Sequence, residues 1–306
     1  MSLIKSASPH ITDKGLTKKL EVYTIIALIP AVIASLYFFG LKAFFIIIVG
    51  VITAALTDIL MNKLKKKKPT IPSGAIITGL LLALTLPPTV PLFVPIVGSI
   101  IAISIAKHAF GTRSHIFNPA LAGRAFLVAA WPVLMSKWIT PDGITGATPL
   151  GALKIAGEKI ASYSQLFFGN IGGTIGETSA LALLIGAAFL FFMKVIDWKI
   201  PLAYVGTVFI LTFAFGKDPL FHILAGGLML GAFFMATDYV TTPITKNGRL
   251  IFGVGCGLLT VIIRLFSGLP EGVMYSILLM NAFTPLIERY TRPMPFGYLK
   301  SKKVEK

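Results

Sequence analysis

Apolar runs of about twenty residues, parted by short polar segments, recur from Val22 to Ile287, and that is the length an α-helix needs to cross a hydrocarbon core. Inside lipid every backbone amide must find its partner within a helix or a closed barrel, so runs of this kind restrict the chain to membrane helices. The composition agrees: 55% of residues are apolar, 13% are charged and the mean hydropathy is +0.84, which excludes an ordinary soluble domain. The segment Met1–Glu21 is polar and basic, so the first apolar run is expected to be an anchor and not a cleavable signal.

The runs predict an all-α, polytopic membrane protein of about ten transmembrane helices. They cover roughly Val22–Phe39, Ala43–Met61, Ser73–Leu86, Pro91–Ala106, Phe117–Trp138, Ser179–Met193, Pro201–Phe215, Leu220–Val240, Ile251–Phe266 and Gly272–Ile287. Pro87-Pro88, Pro119, Pro201, Pro243 and Pro285 punctuate them. Such breaks persist only where backbone is buried in protein or lines a cavity.

Orientation follows from lysine and arginine. With the N-terminus inside, the inward segments hold 21 of the 28 basic residues and the outward ones only Lys42, Lys137, Lys154, Lys159 and Lys217. Arg124 and Arg264 fall within helices. Both termini are therefore expected in the cytoplasm, with the 139–178 loop on the outer face of the cell membrane. This asymmetry also accounts for the net charge of +16 without nucleic acid. The lone Cys256 cannot form an internal disulfide or hold a cluster by itself.

A weak repeat is visible: Gly74-x4-Gly79-x5-Thr85 recurs as Gly226-x4-Gly231-x5-Thr237, a match that glycine-rich apolar helices also produce by chance. With five helices in each half, the second copy must run inverted, a recurring design in transport proteins. The expected organisation is a single membrane domain: a first repeat over 1–138, the outer loop over 139–178, and a second repeat over 179–306.

The outer loop carries Asp142-Gly143-Ile144-Thr145-Gly146-Ala147-Thr148-Pro149-Leu150. A loop this long is either functional or disordered. Small neighbours leave the Thr148 hydroxyl reachable, and Asp142 could support a metal or accept a proton. Further on, the glycines of the 169–178 segment, Gly172 and Gly173 among them, could bring backbone N–H groups to an anion at a helix start or merely form a flexible turn. Intramembrane charge is costly and marks function. Arg124 could meet a carbonyl or phosphate of a bound cofactor, or equally pair with a carboxylate. Glu177, Asp238, Glu271 and Asp58 lie at helix ends, where they could line an ion path, although snorkelling to the interface accounts for the same placement. Gly253-x-Gly255-x-Gly257 lacks the spacing of a dinucleotide fingerprint and reads as close helix packing. The four histidines show no metal spacing, and no metal site is expected.

These stretches resemble a known family. Asp142, Thr145, Gly146, Ala147 and Thr148 match the flavinylation motif Asp-x-x-Ser/Thr-Gly-Ala-Thr. Further matching runs are Ser8-Pro9-His10, Thr78 to Pro88, Phe117-Asn118-Pro119-Ala120, Gly169 to Ser179, Met235 to Tyr239, Pro270 to Val273 and Met280-Asn281. Over nearly its whole length the chain resembles the D subunits of Rnf complexes and, more distantly, the B subunits of sodium-pumping NADH:quinone oxidoreductases. The resemblance implies FMN on Thr148 through a phosphodiester bond, transferred from FAD by an external enzyme. It also implies electron relay between ferredoxin and NAD+ coupled to movement of Na+ or H+. Partner subunits would supply the iron–sulfur clusters, a second flavin and the nicotinamide site. A non-covalent riboflavin among the helices is compatible with this pattern, without a residue to place it. The alternative architecture for inverted five-helix repeats is a solute channel of the ammonium or urea type.

Overall fold

The computed structural model describes residues 16–66, 71–111 and 114–293. The Ser8-Pro9-His10 run, Lys67, Lys68, Arg113 and the basic residues from Lys300 onward lie outside the described residues. The fold is all-α: among the described residues the only β-type pairing is an isolated bridge between Ile139 and Thr145.

Helix α1 (Leu16–Leu64) joins the first two expected spans. Gly40 sits in its middle with φ +63°, a left-handed conformation that bends the chain without a loop. Helix α2 (Ser73–Leu84) follows and stops at a buried break before Pro87-Pro88. Its Gly79 lies against α1 so closely that a Cβ would stand 2.7 Å from the Gly50 carbonyl and 2.8 Å from Ala54 Cβ. Small residues at such crossings let helix backbones touch, which is how helices associate where lipid removes the hydrophobic drive.

Helix α3 (Phe93–Ile101) continues as a π-helical stretch over Ala102–Ala109. Helix α4 (Pro119–Ala130) is capped by Asn118, whose side chain accepts from the amides of Ala120 and Leu121. The expected span to Trp138 is interrupted, because Trp131 leaves the helical region ahead of Pro132 and a single turn, α5 (Pro132–Met135), follows. Two short helices, α6 (Pro149–Ala156) and α7 (Tyr163–Phe168), then occupy the expected outer loop.

The second half opens with α8 (Ala180–Phe192) and α9 (Lys199–Ala214). The expected helix Leu220–Val240 is instead three pieces: α10 (Pro219–Leu224), α11 (Leu228–Leu230) and a π-helical turn over Gly231–Met235. Gly226, at φ +72°, makes the break. Helices α12 (Lys246–Phe266) and α13 (Val273–Thr291) complete the fold. Gly253 and Gly257 of α12 face Ala203, Tyr204 and Thr207 of α9 within van der Waals distance, the close packing expected of them. By length and hydropathy α1 and α12 suffice to span a membrane, and five shorter apolar helices accompany them.

Asn118 ties the two halves. Its amide donates to Asn281 Oδ1 at 3.1 Å and its side-chain amide donates to the Met235 carbonyl at 3.2 Å, while Asn281 donates onward to Thr241 O at 3.2 Å. Three of the motif runs therefore meet in one buried hydrogen-bond network, which holds the broken segment before α12 in place.

Candidate functional site

The outer loop is not without secondary structure, as its composition suggests, because α6 and α7 lie within it. Pro149 supplies the fixed φ favoured at a helix start, and Gly157, at φ +70°, ends α6. Thr148 is the N-cap: its Oγ1 accepts from the Gly151 amide at 3.1 Å. It is half-buried, whereas Asp142, Thr145, Gly146 and Ala147 before it are exposed. The motif is thus an open strip leading into a capped helix, with its last hydroxyl at the edge of a pocket.

That pocket has an empty volume of about 470 Å³, including its open mouth. Thr148, Arg124, Gly172, Gly173, Glu177 and Glu271 all line it, joined by Trp138, Thr174 and Gly226. The structure therefore brings together residues that the sequence sorts into two groups, one for flavin contact and one for ion passage. Gly172 and Gly173 do not sit at a helix start, since α8 begins only at Ala180. Their segment runs inward instead, and the amides of Ile175 and Gly176 donate to Leu86 O and Leu84 O at 2.9 and 2.7 Å, at the break that ends α2. A Cβ at Gly172 or Gly173 would meet only atoms at 3.4 Å or beyond. Those are ordinary van der Waals separations, so protein packing does not demand glycine there.

Arg124, on α4, donates from Nη1 to Glu177 Oε1 at 3.0 Å, and both side chains are buried. Across the pocket Arg264, on α12, pairs with Glu271 at 3.1 Å and also donates to the carbonyls of His222 and Ala225. Glu271 Oε2 accepts from the Gly227 amide at 2.9 Å. The Gly226-Gly227 turn lies between the two carboxylates, a position that leaves no room for side chains. Glu177 is thus not a snorkelling residue; a buried carboxylate without its arginine would be too costly to keep ionised. One buried donor in the pocket wall, Arg124 Nε, makes no hydrogen bond among the described residues, whereas the Thr174 hydroxyl faces the Glu177 carboxylate. A buried donor left unpaired costs stability, so Arg124 is suited to meet an acceptor from a ligand.

The other two acidic candidates lie apart from the pocket. Asp58, on α1, takes His108 at 2.8 Å, Lys107 at 3.1 Å and Asn62 at 2.9 Å. It too is buried in ion pairs and does not snorkel. The π-helical turn presents Lys107 and His108 together to it, a widened geometry that recurs at functional sites. Asp238 stands 3.6 Å from His115, and its Oδ1 accepts from the Val240 amide at 3.3 Å.

The linear sequence assigns no role to Thr174 or Trp138, and it reads Gly227-x3-Gly231 as close helix packing, whereas Gly227 lies against the Glu177 carboxylate. Thr174 falls inside a motif run but carries no signal of burial, and Gly226 is visible only as part of a repeat.

An all-α fold of apolar helices, with a threonine capping a short helix over a charged pocket, defines a class, that of helical membrane proteins with a buried polar site. Residues 4–297 match the NQR2, RnfD, RnfE family, and the chain belongs to it. It is 46% identical over 315 residues to the D subunit of the proton-translocating ferredoxin:NAD(+) oxidoreductase complex of Clostridium ljungdahlii, covering 95% of each chain. Over 315 residues it is 47% identical to the D subunit of the Na(+)-translocating ferredoxin:NAD(+) oxidoreductase complex of Acetobacterium woodii, covering 100% of this chain and 99% of that one. The D subunit of the ion-translocating oxidoreductase complex of Methanosarcina acetivorans is 39% identical over 299 residues, covering 97% of this chain and 98% of that one.

Proposed function

We propose that this chain is the flavin-bearing membrane subunit of an ion-translocating ferredoxin:NAD+ oxidoreductase complex, with FMN esterified to Thr148 on the outer face. The observation that carries this reading is that the last threonine of the flavinylation motif caps α6 at the rim of the pocket holding Arg124, Gly172 and Gly173. The relatives named as D subunits of such complexes, in proton- and Na+-translocating forms, support the setting.

In the attachment step the Thr148 hydroxyl attacks the phosphate of FAD that bears the riboflavin moiety. A P–O bond to Thr148 forms, the pyrophosphate bond breaks, AMP leaves and the threonine proton passes to the transferase or to water. The exposed strip from Asp142 to Ala147 gives that enzyme a handle. Once esterified, Thr148 would keep its linking oxygen beside the Gly151 amide, where the start of α6 would favour the negative phosphate. Bound FMN would supply one- and two-electron chemistry, which links single-electron carriers to a nicotinamide. Of the chain's own residues, Arg124 would offer the cofactor a buried hydrogen-bond donor, with Thr174, Gly172 and Gly173 lining the same pocket. Glu177, Glu271, Asp58 and Asp238 are proposed to serve the passage of Na+ or H+, each beside a cation or histidine that can neutralise it in the resting state.

The test is direct. Protein made together with a flavin transferase should fluoresce in a denaturing gel, and the peptide containing Thr148 should gain the mass of one FMN residue. A native preparation from its own host that lacks this adduct overturns the proposal.

A further inference from the structure

We infer that the Arg124–Glu177 pair sets the reduction potential of the pocket's flavin, with the two residues acting in opposite directions. The inference rests on the proposed attachment of FMN to Thr148, and it concerns what this chain's residues do to that group.

Arg124 and Glu177 line the same cavity as Thr148, are buried, and face one another at 3.0 Å. The Nη1 atom of Arg124 is spent on Glu177, but Nε is a buried donor without a partner among the described residues. Thr174, whose hydroxyl faces the Glu177 carboxylate, lines the same wall. The ion pair therefore does not exhaust Arg124. One side of its guanidinium remains available to the pocket, and the charge behind it is held by a carboxylate that also lines the pocket.

Reduction of a flavin by two electrons delivered from one-electron carriers, with uptake of one proton, leaves one negative charge spread over the N1–C2=O edge of the ring. A buried cation next to the pocket favours the reduced form and a buried carboxylate disfavours it. In a water-poor cavity such charges act more strongly than at a surface. The pair as found nearly cancels, so its members can be separated by experiment. Removing the arginine should lower the potential, and neutralising the glutamate should raise it. A purely structural role would not give that contrast, because breaking the pair from either side disturbs the same packing.

The experiment is a spectroelectrochemical titration of the flavinylated chain and of Arg124→Gln, Arg124→Lys, Glu177→Gln and Thr174→Val, each first shown by mass to carry FMN on Thr148. Arg124→Gln is expected to shift the potential negative and Glu177→Gln to shift it positive. Arg124→Lys, which keeps the charge, should stay near the unsubstituted protein. Thr174→Val should fall between, with a small negative shift. If Arg124→Gln fails to accumulate, Glu177→Gln and Arg124→Lys still decide the matter. Shifts of one sign for Arg124→Gln and Glu177→Gln, or none in loaded protein, would overturn the inference while leaving the attachment site standing. Absence of FMN on Thr148 in the unsubstituted chain would instead remove the proposed function, and this inference with it.

Discussion

A Cβ added to Gly227 would stand 2.5 Å from Oε1 of Glu177, the oxygen that Arg124 grips. The turn between α10 and α11 is therefore fitted to the ion pair on the far side of the pocket. Gly227 is not left-handed, so its need for glycine is spatial and not conformational.

Gly227→Ala should push Glu177 away from Arg124 or shift the turn. Forced overpacking of this kind typically costs about 1–3 kcal/mol. The expected outcome is a lower midpoint in a thermal unfolding assay in detergent. An alanine variant as stable as the parent would mean that the turn is free to move.

Thr148 caps α6, and its proposed role as acceptor of the flavin can be separated from that one. Thr148→Ala removes both: no covalent flavin, and a loss of about 1 kcal/mol at the start of α6. Thr148→Ser keeps a hydroxyl in each role and should still be labelled. In-gel fluorescence reads the first property and proteolysis of the 149–156 segment the second. Labelling of the alanine variant would move the attachment point elsewhere.

Lys154 fixes the other end of the same short helix. Its ammonium donates to Arg264 O at 2.8 Å and Leu269 O at 2.9 Å, carbonyls at and just beyond the C-terminal end of α12. Helix α6 is thereby tied to the element that holds Glu271 through Arg264. Replacing Lys154 by Met keeps most of the side-chain volume and removes both bonds, at a cost of about 1–3 kcal/mol. Faster hydrogen exchange confined to α6 and the 265–271 segment is expected; unchanged exchange there would show that α6 is held by other contacts.

What is legible in the linear sequence and what is not divide along physical lines. Thr148 stands out because a modification motif is contiguous and the lysine asymmetry needs no three-dimensional information. The helical class is legible because lipid leaves few alternatives. The two spans within α1 are legible as separate helices because Gly40 ends one and starts the other: it is non-helical, at φ +63°, and the chain turns there without a loop. The Leu220–Val240 stretch reads as one helix because hydropathy does not mark Gly226-Gly227, while the actual break is dictated by two carboxylates supplied from distant segments. The partner of Glu177 is hidden for the same reason. Arg124 lies 53 residues away, and a lone acidic residue at a helix end looks identical whether it snorkels or is paired.

The last prediction concerns pH. Asp218 caps α10, its Oδ1 accepting from the Phe221 amide at 3.2 Å, and its Oδ2 takes Lys159 and the Tyr163 hydroxyl from the outer loop. Burial alone would raise this carboxyl, but the hydrogen bonds from Lys159, Tyr163 and the Phe221 amide outweigh it and bring it down to about 2 from an ordinary value of 3.8. A depressed carboxylate contributes stability that is fully present above its unfolded value and is lost as pH falls through the folded one. The clasp should therefore hold α7 against α10 above about pH 4 and loosen between about pH 4 and pH 2. Lys159 is well exposed, so solvent screening reduces the effect to roughly a tenfold loss of protection in the 159–168 segment. Hydrogen exchange corrected for its intrinsic pH dependence measures this directly. Asp218→Asn, which cannot titrate, should show the loosened behaviour at every pH and no transition in that window. A transition that persists in the asparagine variant would assign it to another group.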